Sequence, residues 1–131
     1  VPTDTQYRQL LAFRNQLRRF DRWSREAAAD YGLTHAQHQL LLAIRGSTTP
    51  GGPTIGEIAD ALLIKAHSAG ELVDRLAVHG MVTRERDADD HRRVHLRLTE
   101  EGERTLAQLT KVHLAELREL AALMHGLPSD T

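Results

Sequence analysis

The segment MVTRERDADDHRRVHLRLTEEG, residues 81–102, contains the change of period that decides the fold. Val94, Leu96 and Leu98 alternate cleanly with His95 and Arg97, which is the two-residue period of a half-buried strand. Met81 to Asp87 alternates more weakly. Between the two runs, Asp87-Ala88-Asp89-Asp90-His91 is polar and rich in turn formers, so the pair predicts a β-hairpin with Arg92 and Arg93 at its tip. Thr99 followed by Glu100, Glu101 and Glu103 predicts a helix start, with a hydroxyl cap and carboxylates at the positive end of the helix dipole.

Upstream of the hairpin the period is helical. Leu72, Val73 and Leu76 mark the apolar side of a helix that ends at His79, with Gly80 as its stop. Ser68-x-x-Glu71 matches a capping box, so local rules start this helix at Ser68; a start nearer Lys65 is the other reading. Thr54-Ile55-Gly56-Glu57 is a capping box for a short amphipathic helix carrying Ile55, Ile58, Ala59 and Leu62. The stretch STTPGGP, residues 47–53, is a loop by composition. Thr34 and Gln37 form a further capping box before Leu40, Leu41, Leu42 and Ile44.

Two long helices flank this middle. From Gln6 to Tyr31, Leu10, Phe13, Leu17, Phe20, Ser24, Ala27 and Tyr31 recur at spacings of three and four, a single seam that Gly32 ends. After Thr99, Leu106, Leu109, His113, Leu117, Leu120 and Met124 form a second seam, running to about Gly126 before Pro128.

Composition narrows the function classes. The chain has 131 residues, 40% hydrophobic and 27% charged, with a formal net charge of −1, which suits one ordinary globular domain. It has no cysteine, which excludes disulfides, thiolate catalysis and Cys-ligated zinc. The longest apolar runs, Leu40–Ile44 and Leu120–Met124, are far shorter than the roughly 20 residues of a spanning helix. The polar start Val1-Pro2-Thr3-Asp4 leads us to expect a cytoplasmic protein without a membrane partner. No nucleophile elbow, P-loop or dinucleotide fingerprint occurs, so the chain is not expected to be an enzyme, and no cofactor is expected.

The order of elements predicts a mainly α fold with a small β-hairpin wing: a winged helix-turn-helix between N- and C-terminal dimerisation helices. The second helix of the short pair fits a major groove and the hairpin reaches the adjacent minor groove. Asp90-His91-Arg92 followed, after five residues, by Leu98-Thr99-Glu100-Glu101-Gly102 resembles the wing signature of the MarR family of transcriptional regulators. Thr54–Ala59 resembles that family's first helix-turn-helix element. Leu72–Leu76 with Gly80–Arg84 resembles its recognition helix and exit, and Leu33-Thr34 with Leu40-Leu41 the helix before them. The chain departs from the family at Leu63, where Gly is common, at Lys65 and His67, where small hydroxyl residues or Pro are common, and at Gly70, where a larger residue is usual.

The resemblance implies a single domain over 1–131, with dimerisation helices at 6–31 and 100–126 and the DNA-binding part at 33–98. It implies a homodimeric regulator on a pseudo-palindromic site in double-stranded DNA, modulated by a small aromatic or anionic effector. The residues expected at DNA are Thr54, Lys65, His67, Ser68, Arg75, Arg84, Asp90, Arg92 and Arg93. Arg92 suits a narrow minor groove, with Asp90 holding it in register; Lys65, His67 and Ser68 sit where a helix N-terminus favours phosphate. Ser68 equally serves as a plain N-cap, and Arg75 as a partner of Glu71. Asp87 and Asp89 repel phosphate, so they either point away or are neutralised by Arg84, Arg86 or Arg93. Arg14, Arg18, Trp23 and His38 are the candidate effector residues, with packing as the plainer role of Trp23. His35 and His38, with His113 and His125, raise the alternative of a metal-responsive regulator, although no complete ligand motif occurs and no metal site is assigned. A protein-interaction scaffold is the remaining alternative.

Overall fold

A computed structural model describes residues 1–124, in the order α1 (Asp4–Asp30), α2 (His35–Arg45), α3 (Ile55–Leu62), α4 (Ala66–Val78), β1 (Val82–Arg86), β2 (Val94–Leu98) and α5 (Glu100–Met124). The expected end of the last helix at Gly126, with His125 and Pro128, lies outside the described residues. No helix among them is long and apolar enough to cross a membrane.

Three helices open on reciprocal capping boxes: Thr3 with Gln6 for α1, Thr34 with Gln37 for α2 and Thr54 with Glu57 for α3. Each satisfies two backbone donors that the helix itself leaves unpaired. The last two were legible in the sequence, whereas the α1 helix starts earlier than its apolar seam. The Ser68–Glu71 box does not form. Helix α4 begins after Lys65, whose carbonyl accepts from Ala69 N–H at 3.0 Å, and Lys65 makes no side-chain cap. The tight α3–α4 turn has already redirected the chain, so Ser68 lies within the first turns of the helix.

The same C-terminal motif closes α1, α3 and α4. Leu33 N–H bonds Ala28 O, Ile64 N–H bonds Ala59 O and Met81 N–H bonds Leu76 O, each around a residue with positive φ. That residue is Gly32 (φ 75°) after α1 and Gly80 (φ 73°) after α4. After α3 it is Leu63, at φ 57° and ψ 42°. A side chain is disfavoured in this left-handed region by about 1–2 kcal/mol.

Helix α2 lies at the centre. Its Leu40 and Leu41 are fully buried with Ala28 of α1, Ile58 of α3, Ala69, Val73 and Leu76 of α4, and Leu106 and Leu109 of α5. Leu96 joins the same cluster, which ties the wing to the core. The strands pair antiparallel, Val82 with Leu98, Arg84 with Leu96 and Arg86 with Val94. Only Val82 of β1 is buried, hence the weak alternation of that strand. In α1 only Ser24 and Ala28 are buried, and Tyr7, Leu10 and Leu11 stand open to solvent.

Candidate nucleic-acid interface

On α4, burial of Ala69, Val73 and Leu76 turns His67, Glu71 and Asp74 outward. Lys65 and Arg75 are exposed, while Ser68 is half-buried. His67 Nε2 lies 3.2 Å from Glu71, one helical turn away. Glu71 therefore pairs with His67, and no Arg75–Glu71 pair occurs among the described residues. Arg84 of β1 reaches back to Asp74 and pairs with it, cancelling one of the two acids on the outer face of the helix. A Cβ added at Gly70 would meet no atom within 4 Å, so nothing packed in the chain requires glycine there.

The wing tip projects Arg92, whose side chain is 92% exposed. Asp90 Oδ1 accepts from both Arg92 N–H (3.0 Å) and Arg92 Nε (3.2 Å). Arg86 Nη1 donates to His91 O at 2.7 Å across the turn. Arg93 lies 3.6 Å from Glu57 of α3. Arg92, Arg93 and the N-terminus of α3 from Thr54 to Glu57 wall one open groove of about 650 Å³. The Thr49 hydroxyl, then the Thr54 contacts and Arg93, hold Glu57 below the usual carboxylate range.

Thr54, Arg92 and Arg93 are thus brought together, while His67, Ser68 and Arg75 stand on α4 with Lys65 at its N-cap. Asp87 belongs to neither set. One of its oxygens accepts from Asp89 N–H and Asp90 N–H at 2.8 and 2.9 Å, and the other lies 2.7 Å from His95 Nε2. Its partner is therefore His95, which alternation alone had turned to solvent, and none of the three arginines named for that role. The signal missed is the Gly-Gly-Pro run, which lies over the outer side of β2.

A second cavity, of about 430 Å³, opens between α1, α2 and α5. Phe20, Leu42, Leu114 and Leu117 give it apolar walls, and Asp21, Ser24, His38 and His113 line it too. His113 Nδ1 donates to Leu109 O at 2.8 Å, so in the neutral ring Nε2 accepts from the Ser24 hydroxyl at 2.7 Å. His38 stacks near His113, with centroids 4.6 Å apart, and its Nδ1 is buried without a hydrogen-bond partner. Burial, then His113 and His35, lowers the His38 pKa to about 4, so it is neutral at physiological pH. Trp23 packs against His113 at a tilt, with ring centroids 4.8 Å apart. Arg14 and Arg18 surround a separate, smaller groove along α1, apart from His38. Among the described residues no group of three His, Asp or Glu side chains is arranged to hold a metal.

Two short helices, a tight turn and an antiparallel wing, with flanking long helices, make this a winged helix-turn-helix protein. A model of the MarR family matches residues 31–93. YsmB of Bacillus subtilis strain 168, described as an uncharacterised HTH-type transcriptional regulator, is 27% identical over 96 residues, 73% of this chain. The match spans 64% of that relative's length, just under two thirds. AbsC, a MarR family transcriptional regulator from Streptomyces coelicolor, superposes with a TM-score of 0.74 at 21% identity, over 92% of this chain and 80% of its own. A mutant of MarR from E. coli complexed with operator DNA superposes with a TM-score of 0.69 at 26% identity, over 82% of this chain and 75% of its own. Over residues 31–93 the chain is similar to the MarR family, and it has the fold of solved MarR-family regulators. That family and fold are those of transcriptional regulators, not of enzymes.

Proposed function

We propose that the protein is a cytoplasmic, sequence-specific DNA-binding regulator of transcription that acts as a homodimer. The observation that carries this reading is Arg92, fully projected at the wing tip and fixed at its base by Asp90. A fixed, exposed guanidinium suits the negative potential of a narrow minor groove. Lys65 at the N-cap of α4 and His67, Ser68 and Arg75 on it are proposed to face the major groove, with Thr54, Arg84 and Arg93 contributing at the backbone. The likeness to E. coli MarR in complex with operator DNA supports DNA as the partner. Tyr7, Leu10 and Leu11 of α1, with Val112, Leu114 and Leu117 of α5, leave an open apolar surface that a second copy would cover.

The cavity beneath α1, α2 and α5 is the proposed effector site. Its lining carries Asp21 and, among the described residues, no Lys or Arg. An uncharged aromatic effector therefore suits it better than a carboxylate.

Selection from a random-sequence duplex pool at physiological salt tests the reading, because specific binding survives there while non-specific binding weakens. Enrichment of an inverted repeat is the expected result. No enrichment from the folded protein, with and without zinc, would move the assignment to a winged-helix interaction scaffold; enrichment only with zinc would favour the metal-responsive alternative.

A further inference from the structure

His95 is 7% exposed although it faces away from the core side that Leu96 enters. The loop before α3 covers it. Leu96 N–H donates to Pro53 O at 2.8 Å, so this loop runs along β2. A Cβ on Gly51 would sit 3.7 Å from the His95 ring. Gly52, at φ +103°, lies so close that a Cβ there would collide with the Leu96 carbonyl.

Both ring nitrogens face acceptors. Nδ1 lies 2.7 Å from Gly52 O, and Nε2 lies 2.7 Å from Asp87 Oδ2. A carbonyl and a carboxylate can only accept, so both contacts are hydrogen bonds only when the ring carries two protons. The connection continues outward: the other Asp87 oxygen holds Asp90 N–H, and Asp90 holds Arg92. The chain of contacts thus runs from the loop in front of α3 to the wing-tip guanidinium.

We propose that His95, in its doubly protonated form, is the positioning residue that clamps the wing tip to the loop before α3, and that the clamp releases as pH rises. Loss of one proton leaves a lone pair facing either Gly52 O or Asp87. The charges around the ring are Asp87 just past β1, Glu85 on the facing strand, Arg93 just before β2 and Arg97 on it, with Glu57 of α3 beyond Arg93. Arg97 pairs with Glu85 at 3.1 Å and Arg93 lies 3.6 Å from Glu57, so each outer acid already has a cation beside it. Asp87 is the acid left to His95.

The titration directions agree. The bond to Asp87, then that to Gly52, raises the His95 pKa above its ordinary 6.5. The bond from His95, then those from Asp90 and Asp89, hold Asp87 well below the usual carboxylate range. A raised histidine contributes its full share below about pH 6.5 and loses it as pH climbs through the raised value. A lowered carboxylate keeps its share down to strong acid. The clamp is therefore closed below about pH 6.5 and opens as pH climbs through the raised value.

The consequence for DNA rests on the proposed function, but the clamp itself does not, and two readouts separate them. The first is ring ¹⁵N NMR of the full chain. Two protonated His95 nitrogens are expected at about pH 6, with the amide signals of Gly52, Asp87 and Arg92 shifting at the same midpoint above 6.5. A neutral single tautomer at about pH 6, or a midpoint at or below the ordinary value, overturns the clamp. The second is affinity for a mixed-sequence duplex at low salt, from about pH 6 to about pH 9. Wild type should lose about tenfold, the size of effect expected for one misplaced contact arginine. Asp87→Asn should move the midpoint down, and His95→Gln should flatten the profile. Equal profiles in all three proteins overturn the positioning role. Absence of duplex binding at every pH would sink the DNA-binding reading instead, and the NMR titration would still decide the clamp.

Discussion

Asp90 grips Arg92 twice through one oxygen, at the backbone N–H and at Nε, while the two terminal guanidinium nitrogens have no partner among the described residues. As a surface ion pair this contact is worth no more than about 1 kcal/mol. Its value lies in pre-orientation, which lowers the side-chain entropy lost when the arginine enters a groove.

Arg92→Ala should therefore weaken DNA binding by about 1–3 kcal/mol and change the melting temperature little. Asp90→Ala should weaken it less, because the charge remains and only its register is lost. Fluorescence anisotropy on the selected duplex, repeated over a salt series, reads both. Unchanged affinity in Arg92→Ala would remove the wing from the interface.

Leu63 gives a stability prediction that needs no DNA. It closes α3 with the hydrogen-bond pattern that Gly32 and Gly80 serve elsewhere, yet it carries a side chain that is 92% exposed. Strain is present and compensating burial is absent. Leu63→Gly should stabilise the fold by roughly 1 kcal/mol in chemical denaturation, the left-handed relief outweighing the added unfolded-state entropy. A destabilised variant would show that Leu63 is covered in the assembled protein.

Two helical glycines should respond with opposite signs to the same change. Gly70→Ala meets nothing within 4 Å and should gain about 1 kcal/mol from helix propensity. Gly102→Ala would drive its Cβ into the Met81 carbonyl, where backbone must move, and should lose about 1–3 kcal/mol despite the same propensity gain. Thermal melts of the two variants check this directly. Should Gly70→Ala also weaken DNA binding, close approach at α4 becomes the reason for glycine there.

Most of the fold was legible because local signals agree with the packing. The Thr34 and Thr54 boxes, the Gly32 and Gly80 stops and the alternation of Val94, Leu96 and Leu98 each act within a few residues. Ser68 misled for the opposite reason. Its capping box is a valid local choice, but the Leu63 turn sets where α4 starts. Arg92 and Asp90 were readable as neighbours in one turn. The His95–Asp87–Gly52 contact was not, because its two ends are 35 positions apart in the chain, from Gly52 to Asp87, and no periodicity spans them. Likewise Ser24 and His113 each fall on an apolar seam, and only the α1–α5 contact reveals that they bond.

His38 predicts how stability falls in acid. Its folded value of about 4 lies below the ordinary 6.5, so the unfolded chain takes up the proton first. Its contribution is complete above about pH 6.5 and is lost as pH falls towards 4, on the order of 3 kcal/mol at the end. His38→Gln should flatten the urea-denaturation stability over that interval. Asp87 and Glu57, whose values are lowered from the carboxylate range, begin to lose their shares only as pH falls through the ordinary carboxylate values, at the acid end of this interval. A parallel decline in both proteins would assign the acid sensitivity elsewhere.

The open apolar surface of α1 predicts the assembly. Leu10 and Leu11 are 59% and 58% exposed, and Tyr7 sits one turn before them at 59%. Large side chains adjacent on one helix are not left in water without a partner at little cost: each is worth about 1.5–3 kcal/mol when covered. They lie beyond Ser24 and Ala28, where α1 meets the core, and none of the described residues buries them. A two-fold partner presenting the same helix would bury them from both sides, and α5 supplies Val112 and Leu114 to the same end. Leu10→Glu combined with Leu11→Glu should convert a dimer to a monomer in sedimentation velocity while far-ultraviolet circular dichroism keeps its helical signal. Such a monomer should also lose the cooperativity of binding to an inverted repeat, since two recognition helices would no longer be held at a fixed spacing. If wild type itself sediments as a monomer in the micromolar range, the two-fold operator falls with the dimer.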